Sequence, residues 1–343
     1  MPVGKPNAPN RKAKDMKRIN DLYDKICNMD NLYLAYSIAK KGKSKQYGVR
    51  LFEKNLDENI KKLYNEMITE TYKTSEYSVF TIYDPKEREI YRLPFRDRIV
   101  HHAVMNVLEP IWTSIFISHT YSCIKGKGIH GVLRNLKRDL KDIENTQFCL
   151  KLDIRKFYPS IDHEVLKIII RKKIKDGKLL NLLDEIIDSA PGVPIGNYLS
   201  QFFANLYLSY FDHCIKENKQ VKYYYRYADD IVILASNKSY LHNLFNEIND
   251  YLFDNLKLQI KHNYQIFPVE KRGIDFVGYV FYHTHILMRK TIKKRFCRKA
   301  AKLNKKNITA QEYKQNICSW LGWAKHCNSK NLLKKIIKNE EIF

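Results

Sequence analysis

The chain has 343 residues, of which 61 are Lys or Arg and 37 are Asp or Glu, leaving a formal net charge of +24. With 44% hydrophobic residues, 24 Tyr and 16 Phe, it holds enough apolar bulk for packed cores, which excludes a disordered basic tail. Neutral metabolites need no such field; the excess fits a polyanionic partner, because Lys and Arg gain affinity by displacing counterions condensed on phosphates. The length allows two or three packed units. The seven cysteines show no C-x-x-C pair and no zinc-finger spacing, which argues for a reducing interior and against a disulfide framework or structural zinc. Apolar stretches fall far short of the roughly 20 residues that span a bilayer, so the chain is read as soluble and cytoplasmic, with no membrane partner.

Residues 1–20 are polar and basic with Pro and Asn, and read as a loosely held arm. Phe52, Leu56, Ile60, Leu63 and Met67 recur at helical steps and predict one helix over about 49–72. From Val79 to Leu93 the pattern alternates around Asp84-Pro85, which predicts a hairpin. An amphipathic helix follows Gly126 and Gly128, marked by Val132, Leu133, Leu136, Leu140 and Ile143. Between 148 and 154 the period shortens to two: Phe148, Leu150, Leu152 and Ile154 share one face of a strand, with Cys149, Lys151 and Asp153 opposite.

A helix over about 198–217 carries Leu199, Phe202, Phe203, Leu206, Tyr210 and Phe211 on its apolar side. Residues 222–236 read as two β-prone strands around a tight turn at Ala228-Asp229-Asp230. A helix over Tyr240–Leu252 and a glycine-punctuated β segment from Asp275 to Met288 complete a mixed sheet with helices on one side. Composition then shifts: Arg289–Lys306 holds ten Lys or Arg and no acid in eighteen residues. Helical stretches at about 310–327 and 329–338 follow, giving a small helical unit with a basic face.

Three aspartates are the candidate chemistry: Asp153 at a strand end, and Asp229 with Asp230 in a hairpin turn. An isolated Asp-Asp pair is most often a surface turn. Here the carboxylates are predicted on adjacent strands of a strongly cationic protein. Mg²⁺ is commonly held by one or two carboxylates plus substrate phosphates and water, and a pair of such ions can activate a hydroxyl and stabilise a departing phosphate. The pattern therefore suits nucleotidyl transfer. His101-His102 and His283-Thr284-His285 lack a converging Cys or carboxylate pattern and read as packed or solvent-bonded.

Tyr227-Ala228-Asp229-Asp230, followed by Ile231-Val232-Ile233-Leu234, resembles the YxDD hairpin of reverse transcriptases. Upstream, Leu152-Asp153-Ile154-Arg155-Lys156-Phe157-Tyr158-Pro159-Ser160-Ile161-Asp162 resembles the first palm motif of the same family. The likeness extends from about residue 33 to 330. Within the family the chain most resembles the reverse transcriptases of diversity-generating retroelements. The fingers segments from Asp84 to His102, Leu108-Glu109-Pro110, and Tyr121-Ser122-Cys123 through Gly128 carry it. So does Ile195-Gly196-Asn197-Tyr198-Leu199-Ser200-Gln201, which matches their [I/L/V]-G-x-x-x-S-Q where other relatives have Q-G-x-x-x-S-P. Ile274–Tyr279 resembles their primer grip, and Trp320-Leu321-Gly322-Trp323 with His326 their thumb.

This resemblance implies an α+β, right-hand polymerase fold whose palm carries an antiparallel sheet: arm and fingers over 1–127, palm over 128–162 and 193–288, a fingers insertion over 163–192, and a short helical thumb over 289–343. It implies an RNA-directed DNA polymerase using two Mg²⁺, with Mn²⁺ as a possible substitute. Asp153, Asp229 and the Ile154 carbonyl would ligate metal, and Asp230 would complete the acidic cluster. Tyr158 would exclude a ribose 2′-OH, and Lys86, Arg88 and Arg92 would reach the triphosphate, with Ile195, Gly196 and Gln201 also lining the dNTP site. Lys261 is a candidate general acid for the leaving pyrophosphate; a plain surface lysine is the alternative.

Tyr227, Gly278, Tyr279, Lys293, Lys294, Arg295 and Arg298 would contact nucleic acid. Ile195 offers shape where a glutamine could hydrogen-bond, a loss worth about 1–3 kcal/mol that agrees with the family's misincorporation opposite adenines. The implied partners are dNTPs, a template-repeat RNA, its RNA–DNA hybrid, and a small basic oligomeric accessory variability-determinant protein. The implied setting is bacterial, archaeal or phage-encoded. A retron-type enzyme is disfavoured because its Val-Thr-Gly signature is missing. A group II intron maturase is disfavoured because about 55 residues follow Met288. An abortive-infection polymerase and a catalytically silent RNA-binding scaffold remain as alternatives, the latter opposed by the intact acidic motifs.

Overall fold

A computed structural model describes residues 18–83 and 86–337; residues 1–17 of the expected arm and Asp84-Pro85, where a turn is expected, lie outside the described residues. The chain opens with helices α1 (Tyr23–Ile26), α2 (Met29–Lys40), α3 (Tyr47–Glu53) and α4 (Leu56–Ile68). Strands β1 (Ser78–Ile82) and β2 (Arg88–Arg92) precede α5 (Phe95–Thr113) and α6 (Gly128–Asp139). After β3 (Phe148–Asp153) come α7 (His163–Arg171), α8 (Gly177–Asp188), α9 (Tyr198–Tyr207) and α10 (Ser209–His213). Then β4 (Tyr223–Tyr227), β5 (Asp230–Ala235), α11 (Lys238–Leu256), β6 (Gln265–Pro268) and α12 (Val269–Arg272) follow. Strands β7 (Ile274–Phe276), β8 (Tyr279–Phe281) and β9 (Ile286–Met288) lead to α13 (Lys290–Leu303), α14 (Ala310–Ala324) and α15 (Lys330–Ile336).

The chain divides into two compact units, one comprising residues up to Trp112 with Ile161–Tyr207, the other Thr113–Ser160 with Leu208 onward. In the first, α5 is buried on most of its sides, covering Phe95, Ile99, Val100, Val104, Leu108 and Trp112 and also the polar Asp97, His101 and His102, as a helix at the centre of a core is. Trp112 meets Phe202 and Phe203 of α9. Asp176 caps α8 by accepting from Leu179 N and also accepts from the Leu22 and Tyr23 amides, fixing α1 to the start of α8. The expected single helix over 49–72 is two, α3 and α4, because Asn55 leaves helical geometry (φ −132°, ψ 56°). Phe52 and Leu56 keep the same apolar stripe on either side, so periodicity alone does not reveal the break.

The second unit is built on an antiparallel sheet ordered β4-β5-β3-β6. Cys149, Tyr223, Tyr225, Val232, Leu234 and Phe267 pack with Val132, Leu133 and Leu136 of α6. The alternate residues Leu150, Leu152, Tyr224, Ile231 and Ile233 are buried as well. The sheet is thus antiparallel and covered on both faces, not mixed with helices on one side. The segment 275–288 does not complete it but forms a separate antiparallel sheet, β7-β8-β9. Its β7–β8 turn holds Val277 (φ 44°) and Gly278 (φ 91°), the positive angles a two-residue hairpin loop demands.

The helix expected over 198–217 is interrupted: α9 ends at Tyr207, α10 ends at His213, and a π-turn spans Cys214–Asn218. Beyond β9, the helices α13 and α14 close over Phe296, Ala300, Tyr313 and Ile317, with Phe296 and Trp320 stacked at 5.8 Å. Thr309 and Glu312 form a capping box that starts α14. Among the described residues no helix is long and apolar enough to cross a membrane.

Candidate active site

The three aspartates come together at one end of the central sheet. In register, Asp153 of β3 stands directly across from Asp230, the first residue of β5, and Tyr227 pairs with Asp230 from the other side. Asp230 is therefore a strand residue, while Ala228-Asp229 alone make the turn. The Asp229 carbonyl accepts from Ile154 N at 3.3 Å, so the residue after Asp153 is tied to the turn. On its far flank Arg155 N donates to Gln259 O at 2.7 Å and Lys261 N to Asp153 O at 2.9 Å. The strand end is held from both sides, which fixes the carboxylates' backbone.

Ala228 adopts φ 55°, a conformation costing about 1–2 kcal/mol for an L residue with a side chain, so the surroundings must hold it. They do so through a network hidden from sequence inspection. Arg226 and Asp212 form an ion pair with both side chains at 0% exposure. Arg226 Nε donates to Asp212 Oδ1 at 2.8 Å and Nη2 to Oδ2 at 2.5 Å. Tyr224 and Thr120 hydroxyls donate to the same carboxylate at 2.5 and 2.9 Å. The guanidinium's remaining arm, Nη1, donates to the Ala228 carbonyl at 3.1 Å. Burial opposes the Arg226 charge, but the Asp212 carboxylate outweighs it and raises the guanidinium's pKa.

The acidic end is electrostatically unbalanced. Lys151 Nζ lies 3.7 Å from Asp230 Oδ2 and donates to the Asp275 carbonyl. Asp230 Oδ1 is buried with no hydrogen-bond partner. Burial first, and then the Asp153 and Asp229 charges against the opposing pull of Lys151, push the Asp230 carboxyl up to about 7. An orphaned carboxylate oxygen beside two further carboxylates matches the hard, oxygen-only ligation that a divalent cation of the Mg²⁺ kind takes. Among the described residues no group of three or more His, Cys, Asp or Glu side chains is placed to hold a metal ion by itself; Mg²⁺ keeps waters and substrate phosphates, so one or two carboxylates suffice.

Lys261 joins this end, its ammonium 2.5 Å from Asp153 Oδ1, a pairing that nothing in its sequence neighbourhood announces. Tyr158 sits in a 3₁₀ turn after β3, half-buried with its ring 5.5 Å from Phe157. Tyr227 is half-buried at the end of β4. Tyr279 is different: it is 1% exposed, its hydroxyl donates to the Trp323 carbonyl at 3.1 Å and its ring packs 5.1 Å from Trp323. The expected nucleic-acid contact through that side chain is corrected, because the ring is core that joins β8 to α14. Gly278 serves the same joint, since a Cβ there would meet Trp323 at 2.5 Å. Lys293, Lys294, Arg295 and Arg298 all lie exposed on α13, whose buried side is Phe296, Ala300 and Leu303.

The remaining predicted residues belong to the first unit. Lys86, Arg88 and Arg92 are exposed, and Arg88 and Arg92 share a face of β2 with Ile90. Tyr91 N donates to the Ile195 carbonyl at 2.8 Å. Gly196 (φ 130°) is pressed so closely that a Cβ would lie 2.3 Å from Tyr91 O, so glycine is required there. Ser200 Oγ donates to Pro194 O at 2.6 Å, and Asn197 Nδ2 to Tyr77 Oη at 2.8 Å. The Ile195–Gln201 segment is thus clamped to the β1–β2 hairpin region, with Ile195 half-buried and Gln201 exposed.

A family model described as reverse transcriptase (RNA-dependent DNA polymerase) matches residues 84–281, more than half of the chain. The chain belongs to the reverse transcriptase family. Protein YkfC of Escherichia coli K12 is 26% identical over 229 residues, covering 54% of this chain and 60% of YkfC. The group II intron-encoded protein LtrA of Lactococcus lactis is 25% identical over 218 residues, covering 58% of this chain and 35% of LtrA. This reverse transcriptase chain therefore spans only part of the curated relatives it matches. Apo telomerase from Candida tropicalis superposes with a TM-score of 0.51 at 13% identity, covering 78% of this chain and 60% of that one. That likeness gives the fold: an α+β right-hand polymerase.

Proposed function

We propose that this chain is an RNA-directed DNA polymerase that joins nucleotides at the Asp153–Asp229–Asp230 end of β3 and β5. The observation that carries the reading is the direct cross-strand pairing of Asp153 with Asp230, with Asp229 in the adjoining turn. In this reading residues up to 127 and 163–192 act as arm and fingers, 128–162 and 193–288 as palm, and residues from 289 as thumb. Asp153, Asp229 and the Ile154 carbonyl would hold the divalent cations, Mg²⁺ or Mn²⁺, and Asp230 would add the third carboxylate. Such ions, when bound, supply charge stabilisation to the attacking 3′-hydroxyl and the departing pyrophosphate.

The chain's own residues do the rest. Arg226 and Asp212 keep the turn in place. Lys261 holds an ammonium against Asp153, from which it can serve the leaving group as an acid. Tyr158 presents a ring beside the strand end to screen out a ribose 2′-OH. Lys86, Arg88 and Arg92 offer charge to the triphosphate, and the exposed cations of α13 offer it to the template–primer backbone.

The finer reading is a diversity-generating retroelement enzyme that copies a template-repeat RNA with errors at adenines, aided by a small basic accessory protein. Ile195-Gly196 through Ser200-Gln201 supports it, with isoleucine where polar discrimination would come from glutamine. Mg²⁺-dependent incorporation of dNTPs on an RNA template, with sequencing of the cDNA, tests both levels. Incorporation with errors concentrated at template adenines is expected. No incorporation overturns the polymerase reading, and incorporation with evenly spread errors overturns only the finer one.

A further inference from the structure

Away from the acidic end, the second unit holds a cleft of about 610 Å³ between α6, β9 and the turn joining α14 to α15. Arg134 and Lys137 line it from α6, and Lys325, His326 and Lys330 from the turn. No carboxylate lines it. Among the described residues none of these five side chains has a hydrogen bond or ion pair, and all are exposed.

The cleft is built, not incidental. Asn328 is locked to β9 twice: its Oδ1 accepts from Ile286 N at 2.9 Å and its backbone N–H donates to Ile286 O at 2.8 Å. Ser329 Oγ donates to Ala324 O at 2.7 Å and is buried. The turn that carries Lys325, His326 and Lys330 is therefore held in register with the sheet edge. His130 of α6 meets His326 with ring centroids 4.4 Å apart, a second tie, between α6 and the turn. Desolvation first, and then the neighbouring His130, Lys325 and Arg134, lower the His326 pKa.

We propose that this cleft is a second nucleic-acid site that takes phosphate groups of a phosphodiester backbone. Four permanent cations and no acid around an opening of ligand size give the charge that a polyanion requires. The turn held to β9 carries Lys325 and Lys330, and helix α6 carries Arg134 and Lys137, so the backbone that presents the four charges is in place before binding, which lowers the ordering cost. The site is separate from the α13 cations, so it gives the protein a hold on RNA that does not depend on the reacting strand end.

The test is binding, read as the salt dependence of affinity for a single-stranded RNA, an RNA–DNA hybrid and free tripolyphosphate as competitor. The variant carries Arg134→Gln, Lys137→Gln, Lys325→Gln and Lys330→Gln together. Its slope of log affinity against log salt should be shallower by about 3 on single-stranded RNA, at roughly 0.7 for each phosphate no longer neutralised, with at least about a tenfold weaker affinity at 100 mM salt. The four-Arg counterpart should bind like the parent. Weakening on either RNA or hybrid supports a backbone site and tells which strand uses it. Unchanged slopes on both, or loss of tripolyphosphate competition alone, overturn it. All four residues are exposed, so melting should be unchanged. Asp153→Ala, which addresses the polymerase reading, should retain full binding, so the two ideas fail independently.

Discussion

Replacing Asp212 by Asn removes one charge while keeping shape, and it strands the Arg226 guanidinium in a site where both side chains have 0% exposure. Breaking a buried pair from one side costs about 3–5 kcal/mol, because the remaining charge is left uncompensated. The Tyr224 and Thr120 hydroxyls also lose an ionised acceptor, so the upper end of that range is the expectation. Since whole domains are stable by only about 5–15 kcal/mol, urea denaturation followed by circular dichroism should show a large drop in midpoint.

A double variant, Asp212→Leu with Arg226→Met, separates two effects. Apolar replacement of a buried pair is often neutral for stability, so much of the loss should be recovered. The donor to the Ala228 carbonyl is gone in it, however, and the positive-φ turn beside Asp229 loses its anchor. Primer extension should then stay low although folding returns. If Asp212→Asn unfolds within about 1 kcal/mol of the parent, or if the double variant polymerises normally, the network does not hold the turn.

Other consequences follow from single sites. His101 is fully buried with both ring nitrogens unpartnered, and burial pushes its pKa down to about 3. A depressed histidine contributes stability that is complete above the unfolded value near 6.5 and is lost as pH falls from there toward 3; at pH 5 the loss is about 2 kcal/mol. His101→Leu should shrink the drop in urea midpoint between pH 7.5 and pH 5. Gly278→Ala places a Cβ 2.5 Å from Trp323 at φ 91°, and should cost roughly 1–3 kcal/mol in thermal or urea stability. Ile195→Gln restores a polar group beside the clamped Gly196 turn; sequencing of cDNA should show adenine errors falling by roughly ten- to a hundredfold, the equivalent of about 1–3 kcal/mol of discrimination.

The acidic site was readable because its residues are local and chemically unusual: a period-two run placed Asp153 at a strand end, and Asp229-Asp230 broke a β-prone stretch. Both signals survive without knowledge of packing. Asp212 carries no such mark; it sits in α10, fourteen residues before Arg226, and reads as a surface acid on an amphipathic helix. Only the closure of α10 on β4 converts it into the buried partner of the turn. Strand β6 carries no sequence signal for a related reason: it is four residues ending in Pro268, too short for a periodic pattern, and takes its identity from pairing with β3. Tyr279 misled because an aromatic beside a basic segment suggests a stacking surface, whereas Trp323, more than forty residues later, covers it.

The central claim is that the Asp153 and Asp229 carboxylates hold the metal for nucleotidyl transfer. Asp153→Asn and Asp229→Asn keep side-chain shape at partly exposed positions, so the fold should persist by circular dichroism. The direct measurement is Mg²⁺-dependent extension of a DNA primer on an RNA template by the parent and both variants. The account predicts extension by the parent and at least a thousandfold loss in each variant, roughly 4 kcal/mol of transition-state stabilisation. Extension by either variant at the parent's rate contradicts it.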